Sequence, residues 1–448
     1  MEFTPWSLLV DAGLIGLLLA AGTLLRAVIK PLQNLMIPAS VIAGFLGLAL
    51  GPAGLSWLPF SDQLETYTSV LIVLVFACLA MTGEFNFLKI GRSIGSFASY
   101  SVLMYSSQVV VGMLLALLIF VPLFNTSESF GVLLFAGWAG GFGSAAAVGQ
   151  VFGDAGEPEL QSLAFTSATV GILISIIGGI ILAKIGAKRG HVIEFSGMSK
   201  IPRDMRTGVL DQSQNRPAVG THTFSASSVE SLAFQLGIIL AISAGAYGVS
   251  EFLGGLVPEA TFPVFSIAFA VGLVVRYLFK LAKTSRFVDG NSMRSISGAS
   301  TDVLIVCGIA SIMPTLVVDY VVPLIIMFIV GLVLVLSMGV FVSPRVLLDA
   351  RFEKQLFTWG WTTGAVAAGI ALLRIVDPKL KSRTLEDFAL AYIAVAPVEI
   401  IAVTFVPTLI LAGAAWAVVG IWGAITIVAL VMAIVFAKAR APASADSS

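Results

Sequence analysis

The sequence predicts an all-α polytopic membrane protein with two inverted-topology repeats of five transmembrane helices. Each repeat has a re-entrant Gly-rich hairpin, and an additional C-terminal helix follows. Three observations predict this fold. Hydrophobic residues make up 58% of the 448 residues and charged residues only 11%, whereas a soluble domain carries about 25% charge. Apolar stretches long enough for a helix to cross a bilayer recur along the chain. A Gly-rich apolar segment occurs once in each half.

Each half contains five stretches that are predicted to span the membrane as helices, because a backbone in hydrocarbon must satisfy its own hydrogen bonds. The predicted spans are 7–29, 35–55, 64–83, 97–124 and 160–185, then 231–253, 262–281, 301–318, 320–342 and 386–411. The Gly-rich segments are 131–152 and 355–373, and a last helix is predicted at 413–437. The predicted domains are a first repeat at 1–186, a linker at 187–230, a second repeat at 231–411 and a helix with its tail at 412–448.

The distribution of basic residues predicts the orientation of these spans, because segments rich in Lys and Arg stay in the cytoplasm. Arg26 and Lys30, then Lys89 and Arg92, then the basic linker would lie inside. The connections GPAGLSWLPFSDQLE, NTSES and GDAGEPELQ contain no Lys or Arg and would lie outside.

In the second half the same rule places Glu251 and Glu259 outside and the basic connections inside, among them Lys200 of the linker, Lys379 and Arg440. We therefore expect an external N-terminus and a cytoplasmic linker and C-terminus. The first Gly-rich segment then re-enters from outside and the second from inside.

Short sequence matches support a duplication of the two halves. GWAGG ending at Gly141 matches GWTTG ending at Gly364, and the same offset of 223 residues pairs Asp154 with Asp377. Because five spans is an odd number, the second repeat would be inverted. Paired broken helices in inverted repeats are typical of secondary transporters. The alternative interpretation is that Gly and Ala only permit close packing of helices.

The two Gly-rich segments are the predicted substrate site. A helix that breaks at membrane depth exposes backbone N–H groups that bind a carboxylate and carbonyl groups that bind Na⁺. Arg374 suits a substrate carboxylate, and it equally suits a local ion pair with Asp377. The predicted substrate-binding residues are Gly140, Gly141, Phe142, Gly143, Ser144, Thr362, Thr363, Gly364 and Arg374.

Ionisable residues inside apolar runs form the predicted sodium site, because such residues are costly in a membrane and are candidates for function. Glu399 lies in the middle of its predicted helix. Asp302, with Ser300 and Thr301, would either coordinate a cation or cap the start of a helix. The predicted sodium-binding residues are therefore Asp302, Glu399, Ser300 and Thr301. Gln108, with Ser106 and Ser107, is expected to hydrogen-bond between helices.

Other classes of protein fit the sequence less well. The zero net charge gives no indication of a nucleic-acid partner. A hydrolase that used Ser144 would need a base, but both histidines, His191 and His222, lie in the linker, so we expect no enzyme. Cys78 and Cys307 lie in apolar runs, and no cofactor is expected. A channel would need a polar pore, whereas duplicated broken helices favour alternating access.

Two motifs resemble the glutamate:sodium symporter family. GGFGSAAAV at 140–148 resembles the Gly-Gly-x-Gly-x-Ala-Ala loop of that family, and IPASVIAGFLG at 37–47 resembles its second helix. The more distant 2-hydroxycarboxylate transporters are also similar. The resemblance implies an elevator-like symporter of glutamate or a similar small carboxylate, coupled to sodium. It also implies a homodimer in the lipid bilayer of a cell inner membrane.

The sequence departs from the family's pattern where substrate contacts are expected. Phe142 stands where better-known members carry a histidine or another residue, and the second Gly-rich segment lacks their Thr-Pro-Thr pattern. The additional C-terminal helix is a further departure. Another amino acid or a dicarboxylate, coupled to sodium or to protons, is therefore the alternative interpretation.

Overall fold

A computed structural model of the protein describes residues 4–82, 91–192, 203–210, 216, 218–225, 227–256, 262–377 and 380–438. Within these ranges the regular structure is helical, and ten helices are long and apolar enough to cross a membrane. The prediction of an all-α polytopic membrane protein is confirmed. Five charged residues used to predict the orientation lie outside the described residues: Lys89, Lys200, Glu259, Lys379 and Arg440.

The two halves have the same arrangement along the chain, four helices followed by two short arms and a last long helix. In the first half they are α1 (Pro5–Val28), α2 (Ala39–Leu50), α3 (Leu64–Thr82), α4 (Arg92–Phe124), α5 (Glu128–Ala139), α6 (Gly141–Asp154) and α7 (Glu159–Lys188). In the second half they are α8 (Ser231–Leu256), α9 (Val264–Leu281), α10 (Gly290–Ala310), α11 (Val321–Val346), α12 (Arg351–Thr363), α13 (Val366–Val376) and α14 (Thr384–Leu411). The chain then continues into α15 (Ala415–Lys438).

The predicted span at 35–55 was wrong in its bounds. Helix α2 has only 12 residues, which is about 18 Å of helix against about 30 Å of hydrocarbon. Pro38 precedes the helix, and the chain leaves it at Gly51, which is followed by Pro52. Hydropathy alone did not detect these two ends, because the flanking residues are also apolar.

The predicted span at 301–318 was also wrong. Helix α10 begins at Gly290, where the Asp289 carboxylate accepts a hydrogen bond from the Ser292 N–H at 2.8 Å, and it ends at Ala310. Burial raises the pKa of Asp289, but hydrogen bonds from Ser292 and Thr221 outweigh this effect and hold the pKa well below its usual range. Ser300, Thr301 and Asp302 therefore lie inside a helix, and their predicted alternative role as its cap is wrong. The first turns of α10 consist largely of polar residues, so hydropathy did not detect where the helix begins.

The helices pack as two groups. Helices α1, α2, α3, α8, α9 and α10 pack against one another and are called the frame group here. Helices α4 to α7 and α11 to α15 form the hairpin group, which contains both pairs of short arms. The frame group thus takes the first three helices of each half, and the hairpin group takes the rest. Helices α6 and α7 contact the frame group through α3 and α10.

Helix α7 of the first half holds the short arms of the second half in place. The Trp359 indole N–H donates to the Ser175 carbonyl at 3.0 Å, and the Ser175 hydroxyl donates to the Gly360 carbonyl at 2.9 Å. A methyl group added at Gly171 would lie 2.6 Å from the Thr363 carbonyl oxygen, so the two backbones touch. The arms of one half are therefore positioned by a helix of the other.

Candidate functional site at the hairpin tips

The two Gly-rich segments form pairs of short helical arms. Each arm has between 11 and 14 residues, or about 16–21 Å of helix, which is too short to cross about 30 Å of hydrocarbon. The arms α12 and α13 pack face to face, since a methyl group added at Gly360 would lie 2.6 Å from the Gly369 Cα. The helices break at Gly140–Gly141 and at Gly364–Ala365. These breaks coincide with the residues paired by the offset of 223.

The tips of the two hairpins touch each other. Gly141 has a φ of +64°, and a methyl group added there would lie 2.7 Å from the carbonyl oxygen of Gly364. Only glycine takes up this backbone conformation without strain and allows this close an approach. The structure therefore brings together residues that are more than two hundred positions apart in the sequence.

Helices α6 and α13 both start at the tips, and neither start is capped by a side chain. The N-cap positions are Gly140 and Ala365, and neither residue supplies a side-chain hydrogen bond to the first turn. The first N–H groups of a helix have no partner within the helix, and the helix dipole places partial positive charge there. Two such ends next to each other favour a negatively charged ligand.

Helices α4 and α14 supply polar side chains beside the tips. Gln108 of α4 donates from Nε2 to the Thr362 carbonyl at 2.9 Å. On α14 the Tyr392 hydroxyl donates to Oε2 of Glu399 at 2.6 Å. Tyr105 of α4 is fully buried, and Ser144 and Glu399 lie near its hydroxyl. The site thus contains one partly buried carboxylate and several neutral polar groups.

Tyr105 and Tyr392 were missed by sequence reasoning, and Gln108 was predicted only to hydrogen-bond between helices, which it does. A signal existed for each tyrosine. Tyr392 precedes Glu399 by seven residues, and Tyr105 precedes Gln108 by three, so both spacings put a pair on one face of a helix. An aromatic hydroxyl at helical spacing from an intramembrane carboxylate or amide is the pattern that would have identified them.

The structure places the other predicted substrate residues at different distances from the tips. Phe142 is buried and stacks on Phe165 of α7 with ring centroids 6.5 Å apart. The hydroxyls of Thr362 and Thr363 donate to carbonyls of their own helix, at 2.7 and 2.6 Å. Arg374 lies in the last turn of α13, about 12 Å along the helix from its first residue. It is therefore not brought together with the two breaks.

The four predicted sodium residues divide between the two groups of helices. Glu399 lies on α14 of the hairpin group, whereas Ser300, Thr301 and the exposed Asp302 lie on α10 of the frame group. Among the described residues, no hydrogen bond or ion pair joins Glu399 to any of the other three. The structure brings only Glu399 to the hairpin tips.

Two clefts separate the frame group from the hairpin group. The larger has a volume of about 1210 Å³ and lies between the frame helices α3, α8 and α9 and the connection from α6 to α7, with Glu65, Asp154 and Glu251 on its walls. The smaller, of about 280 Å³, lies between the ends of α1 and α2 and the face of α13 that carries Ala367 and Ala371. The cleft between the two groups is thus large on one side of the protein and small on the other.

Paired broken helices that meet inside a bundle of membrane-spanning helices define a secondary transporter. Residues 8–376 of the chain match the family model described as sodium/glutamate symporter. The chain therefore belongs to the sodium/glutamate symporter family, as the sequence motifs predicted. A search of the curated proteins found no match. The matched region ends with α13, so α14, which carries Glu399, and α15 lie beyond it.

Proposed function

We propose that the protein carries glutamate or a similar small carboxylate across the membrane together with Na⁺. The observation that carries this proposal is the contact between Gly141 and Gly364, because it places two uncapped helix starts side by side. Their partial positive charges suit a substrate carboxylate, which would accept hydrogen bonds from the N–H groups of residues 142–144 and of the first turn of α13. Family membership supports sodium as the coupling ion.

The sodium sites are proposed at two places. The carbonyl groups that end α5 and α12 carry partial negative charge at the same tips, and together with Glu399 of α14 they suit a cation bound with the substrate. Asp302, with Ser300 and Thr301, offers a second place on the frame group. Coupling would follow if a bound cation stabilises the tips in the arrangement that binds the carboxylate.

Transport would proceed by an elevator-like movement of the hairpin group against the frame group. Both hairpins lie in the hairpin group, so the substrate would travel with it, and the unequal clefts on the two sides suit one end state of such a movement. We further propose two inverted repeats, a homodimer, a cytoplasmic linker and an inner-membrane location. The equal order of helices in the two halves supports the repeat.

Uptake into proteoliposomes tests the proposal. With an inward Na⁺ gradient, labelled L-glutamate is expected to accumulate, and a sodium ionophore is expected to abolish the accumulation. Other amino acids and dicarboxylates are assayed in parallel, and an imposed pH gradient without Na⁺ tests the alternative of proton coupling. Stimulation of uptake by internal unlabelled substrate separates a transporter from a channel. If no anion accumulates beyond the level in protein-free liposomes, the symporter proposal is wrong.

A disulfide between the two groups tests the elevator movement. The hydroxyls of Ser266 on α9 and Thr404 on α14 lie 2.7 Å apart, so a cysteine pair there suits a disulfide. In a chain whose two native cysteines are replaced by alanine, Ser266→Cys with Thr404→Cys is expected to lose uptake in proportion to the cross-linked fraction. Reduction is expected to restore it, because the movement is blocked only while the disulfide is intact.

The matched control is a cysteine pair within the hairpin group. The hydroxyls of Ser106 on α4 and Thr426 on α15 lie 2.9 Å apart, and both helices belong to that group. Ser106→Cys with Thr426→Cys is expected to cross-link without loss of uptake. Full uptake by the cross-linked Ser266→Cys, Thr404→Cys protein would exclude the proposed movement.

A further inference from the structure

Part of the linker between the two halves is folded. Residues Arg203–Thr207 form one turn of helix, called the linker helix here, and the Gly208 N–H donates to the Asp204 carbonyl at 2.7 Å. Gly208 follows the helix with a φ of +75°, a conformation that commonly ends helices. A helix of five residues is not stable in water by itself, so contacts with the rest of the protein must hold it.

Those contacts are with the end of α1 and the segment that follows it. The linker helix packs against α1 and against the short helix Lys30–Leu35. Nε of Arg26, in the last turn of α1, donates to the Arg206 carbonyl in a long hydrogen bond of 3.4 Å. Asp204 and Arg206 are half-buried, whereas Arg203 is exposed. The linker helix is therefore held on the frame group.

A second part of the linker is also tied to the frame group. The Thr221 N–H and hydroxyl donate to the Asp289 carboxylate at 3.0 and 2.7 Å. The Ser295 hydroxyl donates to the Val219 carbonyl at 2.7 Å. Asp289 precedes α10 and Ser295 lies in it, and α10 belongs to the frame group. The linker follows α7 of the hairpin group, but both of these parts would stay with the frame group if the hairpin group moves.

The linker helix lies at the small cleft between the two groups. Asp204 lines this cleft together with Arg26 and Pro38 on the frame side. The opposite wall is the face of α13 that carries Ala367 and Ala371. Asp204 and Arg26 have opposite charges, so their attraction favours the docked position of the linker helix. A folded part of the linker thus lies where the second hairpin faces the frame group.

We propose that the linker helix is a gate that holds the small cleft closed. Movement of the hairpin group towards this side would widen the small cleft and carry α13 past the end of α1, where the linker helix is docked. The docked helix therefore favours the arrangement in which the large cleft on the other side is open. Its release costs the attraction between Asp204 and Arg26 and the unfolding of one helical turn. The inference rests on the proposed movement and adds a control of it.

The reaction of single cysteines with a bulky, water-soluble maleimide tests the gate. Ala371→Cys on α13 reports the opening of the small cleft, and Gln150→Cys on α6 reports the opening of the large cleft. Each is placed in the full chain whose two native cysteines are replaced by alanine. The protein is held in lipid nanodiscs, where the reagent reaches both faces. The rate of labelling is measured without substrate and without an ion gradient.

Neutralising Asp204 is expected to shift the protein towards an open small cleft. Asp204→Asn is expected to speed the labelling of Ala371→Cys about threefold, the effect of one partly exposed charge contact. The labelling of Gln150→Cys is expected to slow, because the arrangement with an open large cleft becomes less populated. Replacing residues 203–207 by glycine and serine at the same length disfavours the helix and is expected to raise the change at Ala371→Cys to about tenfold.

Three controls separate the gate from other effects of the substitution. Glu230→Gln removes an acidic charge at the other end of the linker, at a side chain that is 58% exposed, and is expected to match the wild type. Asp204→Glu keeps the charge and is expected to do the same. The disulfide between Ser266→Cys and Thr404→Cys blocks the proposed movement, so Asp204→Asn is expected to change neither rate in the cross-linked protein.

Four results would overturn the inference. The first is unchanged labelling of both cysteines in Asp204→Asn and in the glycine–serine variant. The second is faster labelling of Ala371→Cys with no change at Gln150→Cys, because the linker helix would then only cover the cleft. The third is persistence of the changes in the cross-linked protein, and the fourth is an equal effect of Glu230→Gln. Failure of the proposed function appears separately, as the absence of sodium-driven uptake by the wild type, since the labelling needs neither substrate nor sodium.

Discussion

Alanine in place of Gly141 is expected to lower sodium-driven uptake about 100-fold and to leave a folded protein. Gly141 has a φ of +64°, where a side chain is strained, and the new methyl carbon would lie 2.7 Å from the Gly364 carbonyl oxygen. That oxygen belongs to backbone between two helices, so relieving the contact moves one hairpin tip away from the other. The two helix starts would then no longer face one carboxylate, although the packing of the remaining helices is unaffected.

Gly153 provides the matched control in the same helix, because it lies outside the proposed site. A methyl group added there meets only Oε1 of Gln161, at 3.9 Å, which is an ordinary contact, so Gly153→Ala is expected to keep its uptake. Initial rates of uptake in proteoliposomes and the midpoint of thermal unfolding in detergent are measured for both variants. Wild-type kinetics in Gly141→Ala would show that the two tips pack together without holding the substrate.

Most of the fold was predictable because a bilayer restricts backbone structure to a few solutions. Composition and the length of apolar runs identified the long helices. The spacing of Gly141 and Gly364 identified both breaks, since glycine is required where a helix stops at membrane depth. The same reasoning failed at α2 and α10. The first is shorter than its apolar surroundings, and the second starts among polar residues that hydropathy assigns to water.

The candidate site was less predictable, because spacing along one helix does not tell which helices are neighbours. Gln108 and Thr362 are separated by 254 positions and hydrogen-bonded. Nothing in the sequence indicates that α4 lies against the second hairpin. Sequence proximity also led to the wrong placement of Arg374 in the substrate site. Arg374 follows Gly364 by ten residues, but most of these residues form α13, and Arg374 lies at the end of that helix far from the break. Only the packing of both halves in one hairpin group brings Glu399 to the first tip.

Methionine in place of Lys354 is expected to destabilise the protein by about 3 kcal/mol, the low end for a broken buried ion pair, because it leaves the partly buried Asp387 carboxylate without its partner. The Lys354 side chain is only 1% exposed, and its ammonium group lies 2.7 Å from Asp387 of α14. It also donates to the Ser93 hydroxyl of α4 at 2.7 Å. Lys354 thus ties the base of the second hairpin to two helices that border the site. The midpoint of thermal unfolding and a denaturant titration in detergent measure the loss.

Two further variants test whether the effects of Lys354→Met come from the unpaired charge or from a loss of the position of the second hairpin. Lys354→Met with Asp387→Leu removes both charges and is expected to be close to the wild type in stability, since an apolar pair of similar size replaces a buried ion pair at little cost. Arg383→Ala breaks the exposed pair with Glu386 at the start of the same helix and is expected to change nothing. A double variant as unstable as Lys354→Met would contradict the charge argument. If the double variant is stable but transports slowly, the ion pair serves to fix the base of the second hairpin, and through it the position of Gly364 against Gly141.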